Sequence, residues 1–73
     1  MEQNISKYKA FVAAVESGSI SEAAKILSYS QSGVSRMIAD LEQECGVSLL
    51  QRGRQGVVLT SSGMELFPYA VNL

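Results

Sequence analysis

Between Leu27 and Gln31 the chain has three residues, Ser28, Tyr29 and Ser30, in which to end one amphipathic helix and begin another. The pattern on either side sets that demand. Upstream, Ile20, Ala23, Ala24 and Leu27 recur at helical spacing; downstream, Val34, Met37, Ile38, Leu41 and Cys45 do the same. So short a connection holds the two helices close together, and the paired alanines permit it, because a small side chain lets a neighbouring helix approach. Ser30 is placed to cap the downstream helix, Tyr29 to staple against Val34 at the fourth helical position, and Gly46 to stop the helix. A tight helix-turn-helix, with its second helix at about 31–44, is the expected centre of the fold.

The rest of the chain reads as elements packed around that unit. Ile5, Tyr8, Phe11, Val12 and Val15 form an apolar stripe on a first helix ending near Gly18. The stretch "SISE", Ser19 to Glu22, fits a capping box in which each end residue bonds the other's amide. After Gly46, "VSLLQRGRQGVVLT" places β-branched and aliphatic residues on both sides of a basic, glycine-flanked tip, a two-stranded hairpin or wing at about 50–59. Thr60 then caps a last helix, with Leu66, Phe67, Ala70 and Leu73 on one side and Pro68 removing one internal hydrogen bond. With 73 residues in all, one domain is the limit. The expected architecture is mainly α: a winged helix-turn-helix at 1–59, with a three-helix core and two-stranded wing. The apolar side of the last helix, at residues 60–73, suggests either a truncated helix or a dimer surface, and the two readings are compatible.

Residue types narrow the chemistry. There is no histidine, and the single cysteine, Cys45, has no second thiol or imidazole with which to share a metal or relay a proton. Serines are plentiful but none has a lysine at the spacing that would activate it as a nucleophile. No enzyme, metal site or cofactor is implied, and Cys45 is expected to be a small buried hydrophobe near a helix end. The N-terminal "MEQNISKYK" lacks the apolar run of a signal peptide, and no window reaches the roughly 18 apolar residues of a membrane span. A reducing cytoplasm and no membrane partner are the expectation.

Charge position is more informative than the net charge of -1. Residues 23–39 contain Lys25 and Arg36 with no acid, and residues 45–64 contain Arg52 and Arg54 with no acid. These locally cationic windows are the turn with the start of the 31–44 helix, and the hairpin. The far half of that helix carries Asp40, Glu42 and Glu44. A helix entering the DNA major groove leads with its N-terminal residues, where its dipole and free amides favour phosphate and acids would be repelled. Opposite the apolar face lie Ser32, Ser35, Arg36, Ala39 and Gln43, small or hydrogen-bonding groups suited to base edges. The same features also fit a helix-turn-helix used as a protein-interaction or dimerisation module, because the chain as a whole is not basic.

The ordered set of motifs resembles the N-terminal domain of LysR-type transcriptional regulators. It comprises "GSISEAA", "SQ" opening the 31–44 helix with "SR" just beyond "SG", "LE" followed by "GV", an aliphatic pair leading to Arg52, and "GVVLTSSG" running into the last helix. The resemblance covers about residues 5–73. It implies a winged helix-turn-helix that binds double-stranded DNA as a homodimer, on an interrupted inverted repeat, through a C-terminal linker helix. Gln31, Ser32, Ser35 and Arg36 match base-reading positions; Ser21, Lys25, Ser30, Arg52, Arg54 and Gln55 match backbone and wing positions; Leu66, Phe67, Ala70 and Leu73 fall on the pairing helix. For Arg36 the residue pattern alone also allows a phosphate clamp or an ion pair to Asp40, and for Ser30 a purely capping role. Two departures stand out: Ser32 and Gly33 replace the family's usual Pro and small apolar residue, and Gln55 stands where Arg is common, with Arg54 one residue earlier. Small-molecule sensing is expected only from a further C-terminal domain that these 73 residues do not include.

Overall fold

Each break in the apolar pattern becomes a backbone turn. The structure, a computed structural model, describes residues 2–73, with side chains from Ile5 onward. In chain order it has α1 (Glu2–Ser17), α2 (Ile20–Leu27), α3 (Gln31–Cys45), β1 (Leu50–Gly53), β2 (Gly56–Leu59) and α4 (Ser61–Val71). The two strands pair antiparallel with Leu50 opposite Leu59 and Gly53 opposite Gly56. This is the winged helix-turn-helix expected from the sequence, four helices and a two-stranded wing.

The core is a layer of small residues between larger ones. Phe11, Val34, Ile38, Leu41 and Leu49 are its fully buried large side chains, and Ala10, Ala14 and Ala23 are buried as completely. On α1 the buried face is therefore centred on Ala10, Phe11, Ala13 and Ala14, with Tyr8, Val12 and Val15 flanking it and Ile5 exposed. The sequence stripe named Phe11 and the flanks and missed the alanines, which are weak in hydropathy but let α1, α2 and α3 approach closely.

Three serine or threonine caps set the helix starts. Ser19 Oγ accepts from the Glu22 amide at 3.2 Å, Ser30 Oγ from the Gly33 amide at 3.0 Å, and Thr60 Oγ1 from the Gly63 amide at 3.0 Å. The capping box at Ser19 is half formed. Glu22 does not return to the Ser19 amide; its carboxylate meets Lys25 Nζ at 3.5 Å, and the Ser19 amide donates to Ser17 Oγ at 3.4 Å. Tyr29, expected to staple over Val34, is exposed, and its backbone is what the turn uses.

Two close approaches fasten the wing and α4 to the helices. The Val57 amide donates to Gly18 O at 3.0 Å, and a Cβ on Gly56 would stand 2.1 Å from that same oxygen. At Gly63 a Cβ would meet Leu49 O at 2.2 Å. Beside it, Thr60 donates twice to the segment that precedes β1, through Oγ1 to Ser48 O (2.6 Å) and through its amide to Leu49 O (3.0 Å). Glycine at both positions is a requirement of space.

α4 lies on the core more fully than expected. Ala70 is buried, Leu66 and Phe67 pack against the core, and the Phe67 ring meets Phe11 edge-on with centroids 6.1 Å apart. The side expected to await a second chain is thus largely occupied by the chain itself. Met64, Tyr69, Val71 and Leu73 are the large apolar residues that α4 and the residues after it leave exposed. Among the described residues no helix is long and apolar enough to cross a membrane.

Candidate nucleic-acid interface

The turn between α2 and α3 is built from backbone. Ser28 adopts a left-handed conformation (φ 61°), and the Tyr29 amide donates to Ala24 O at 2.9 Å while the Ser28 amide donates to Lys25 O at 3.3 Å. This closes α2 in a Schellman pattern with serine in the place usually held by glycine. The chain is then free to enter α3 two residues later.

The first half of α3 faces outward. Gln31, Ser32, Arg36 and Ala39 are exposed and Ser35 is half-buried, whereas Val34, Ile38 and Leu41 on the other side are buried. Gln31 Nε2 donates to Ser21 Oγ on α2 at 3.4 Å, and the hydroxyls of Ser30 and Ser32 share a hydrogen bond at 3.3 Å. Arg36 forms no ion pair among the described residues, so the contact with Asp40 that the sequence allowed is not made. Its guanidinium is left to the surface.

Two of the three acids of the second half, Glu42 and Glu44, are bound to other parts of the chain. Glu42 Oε2 accepts from the Leu49 amide at 2.7 Å and the Leu50 amide at 3.1 Å, tying α3 to the start of the wing. Glu44 pairs with Lys7 on α1, and that hydrogen bond, with lesser attraction from Glu44 and Asp40, raises the Lys7 pKa above its ordinary 10.5. Sequence reasoning saw these acids only as tolerated at the far end of the helix. Their partners lie 7, 8 and 37 residues away along the chain, and no local pattern announces them.

The wing tip is cationic and exposed. Arg54 and Gln55 are the two turn residues between Gly53 and Gly56, and Arg52 is exposed on β1. Neither Arg52 nor Arg54 forms an ion pair among the described residues. Lys25, also expected at a phosphate, is exposed but lies beside Glu22. Ser30 does cap α3, which leaves its hydroxyl engaged with the Gly33 amide. Cys45 is exposed rather than buried: the last turn of α3 runs past the core, and Cys45 borders a surface hollow with Val47, Leu49, Leu66 and Tyr69.

A short turn presenting an exposed polar helix beside a basic hairpin defines a winged helix-turn-helix module. The chain belongs to the lysR family of bacterial regulatory helix-turn-helix proteins, whose family model matches residues 5–64. It is 38% identical over 73 residues to the HTH-type transcriptional regulator YbhD of Escherichia coli, covering all of this chain and 23% of YbhD. To the HTH-type transcriptional regulator CrgA of Neisseria meningitidis it is 42% identical over 67 residues, 92% of this chain and 22% of CrgA. The chain thus spans less than a quarter of the length of these curated relatives. Among solved structures it is similar to a CbnR_DBD-DNA complex (TM-score 0.89, 35% identity, covering 93% of this chain and 78% of that one). It is also similar to a BenM_DBD/catB site 1 DNA complex (TM-score 0.88, 38% identity, covering 93% and 76%).

Proposed function

We propose that this chain is the DNA-binding part of a bacterial transcriptional regulator, inserting the start of α3 into the major groove of double-stranded DNA with the wing against backbone or minor groove. The observation that carries the reading is the division of α3. Gln31, Ser32 and Arg36 stand exposed on an acid-free half, while Glu42 and Glu44 on the other half are bound to the chain itself. Arg36, Arg52 and Arg54 are exposed cations with no ion pair among the described residues, and Gln31 and Arg36 have the donors and acceptors to address adenine and guanine respectively. The DNA complexes of CbnR and BenM support the same use of the fold.

The binding unit is a homodimer on an interrupted inverted repeat. Residues 60–73 begin the linker helix that joins the two chains, and a small-molecule effector would act through a separate C-terminal domain in the cytoplasm. Support for pairing through α4 is the exposed apolar set Met64, Tyr69, Val71 and Leu73. Fluorescence anisotropy with duplex DNA tests the reading. If each chain of a dimer neutralises three phosphates, affinity falls about 10³-fold between 50 and 200 mM salt. A folded protein that binds no duplex at low salt would instead favour a protein-interaction module.

A further inference from the structure

Ser21 and Gln31 sit on different helices, and their side chains meet across the turn. Gln31 Nε2 donates to Ser21 Oγ at 3.4 Å. Ser21 is half-buried in the first turn of α2, and Gln31 is the exposed first residue of α3. We propose that Ser21 is a specificity-determining residue that orients the Gln31 carboxamide for adenine; the inference rests on the DNA-binding reading above.

Adenine presents an N7 acceptor and an N6–H donor in the major groove, and a carboxamide satisfies both only when Oε1 and the N–H beside it face the base. The second N–H of Nε2 is then left over, and Ser21 Oγ receives it. The Ser21 hydroxyl proton is not engaged by any other hydrogen bond among the described residues. When a backbone phosphate accepts that proton, Oγ has only lone pairs to offer Gln31, so the nitrogen end of the amide is held toward Ser21 and the flipped amide is disfavoured. A phosphate contact, which carries no sequence information itself, thereby fixes the polarity of a base-reading group. Holding a long, exposed side chain in place before DNA arrives also reduces the entropy lost on binding.

Binding-site selection followed by competition titrations tests this. Gln31→Ala first identifies the base pair whose preference flattens. Ser21→Ala lowers the preference for adenine at that pair about three- to tenfold, a fraction of a full bidentate contact. It leaves preferences elsewhere in the site unchanged, and Ser21→Thr restores the lost one. In a Gln31→Ala background, Ser21→Ala moves no base preference. Ser19, not Ser21, caps α2, so the variant keeps the helix, as circular dichroism will confirm. A uniform loss of affinity with the adenine preference intact, or a Gln31→Ala variant with no altered base pair, would overturn the assignment while leaving the DNA-binding reading in place. A folded wild-type protein with no salt-sensitive duplex binding would overturn both.

Discussion

The Glu42 carboxylate accepts hydrogen bonds from the amides of Leu49 and Leu50, 2.7 and 3.1 Å from one oxygen. One side chain of α3 thus satisfies two backbone donors at the entry to the wing, and fixes where the wing stands relative to the exposed half of the same helix. Glu42→Ala leaves both amides without a partner and lowers stability by about 1–3 kcal/mol. Glu42→Gln, which keeps an acceptor but not the charge, costs less. Urea unfolding of the two variants checks the order, and equal losses would remove the charge-assisted bond from the account.

The two tight glycines are expected to be intolerant. Gly56 combines a φ of 120° with a Cβ position 2.1 Å from Gly18 O, and a Cβ on Gly63 would stand 2.2 Å from Leu49 O. Alanine at either site lowers stability by about 2–3 kcal/mol or more, because backbone has to move. Gly53, around which a Cβ meets nothing within 4 Å, is the control, with a change of about 0.5 kcal/mol or less. Thermal melts of the three variants separate these cases.

Lys7 gives the fold a dependence on alkaline pH. Its folded-state pKa is raised by the hydrogen bond to Glu44, so the pair's contribution is fully present below the ordinary lysine value of 10.5 and is lost as pH rises through the folded-state value. A Lys7→Met and Glu44→Gln double-mutant cycle by urea unfolding is expected to show coupling at pH 8 that vanishes above that value. Coupling that persists unchanged would mean that charge plays no part.

Assembly is predicted to depend on the outer side of α4. Leu66→Glu strikes a residue packed on the chain's own core and is expected to destabilise the fold. Tyr69, 74% exposed, offers the cleaner test: Tyr69→Glu yields monomers in sedimentation with little loss of thermal stability. A persistent dimer would place the pairing surface elsewhere.

How much was legible in the sequence follows from the range of each interaction. The caps at Ser30 and Thr60, the three-residue turn and the hairpin tip at Arg54 and Gln55 are local, and the residues that make them are the residues that reveal them. The acid-free half of α3 was legible for the same reason. What sequence reading missed is long-range or backbone-determined. The buried alanines of α1 matter through helix approach rather than hydropathy, and Ser28 takes a left-handed turn that its residue type does not advertise. The exposure of Cys45 and the inward facing of Phe67 depend on where α3 and α4 end relative to Phe11 and Leu49. The sequence fits Glu22 to the capping box, whereas its carboxylate lies beside Lys25, three residues on.

The most direct test compares two cations of the same chain. Arg36 has no ion pair among the described residues and stands on the exposed half of α3, and Lys9 is exposed on α1, bordering the hollow toward Leu27 and Ala70. In anisotropy titrations with the selected duplex at fixed salt, Arg36→Ala is expected to weaken binding at least about fivefold and to relax the base preference at its contact. Lys9→Ala is expected to change neither. Equal small losses from both, with sequence preference intact, would contradict the placement of α3 in the groove and reduce the interaction to nonspecific charge.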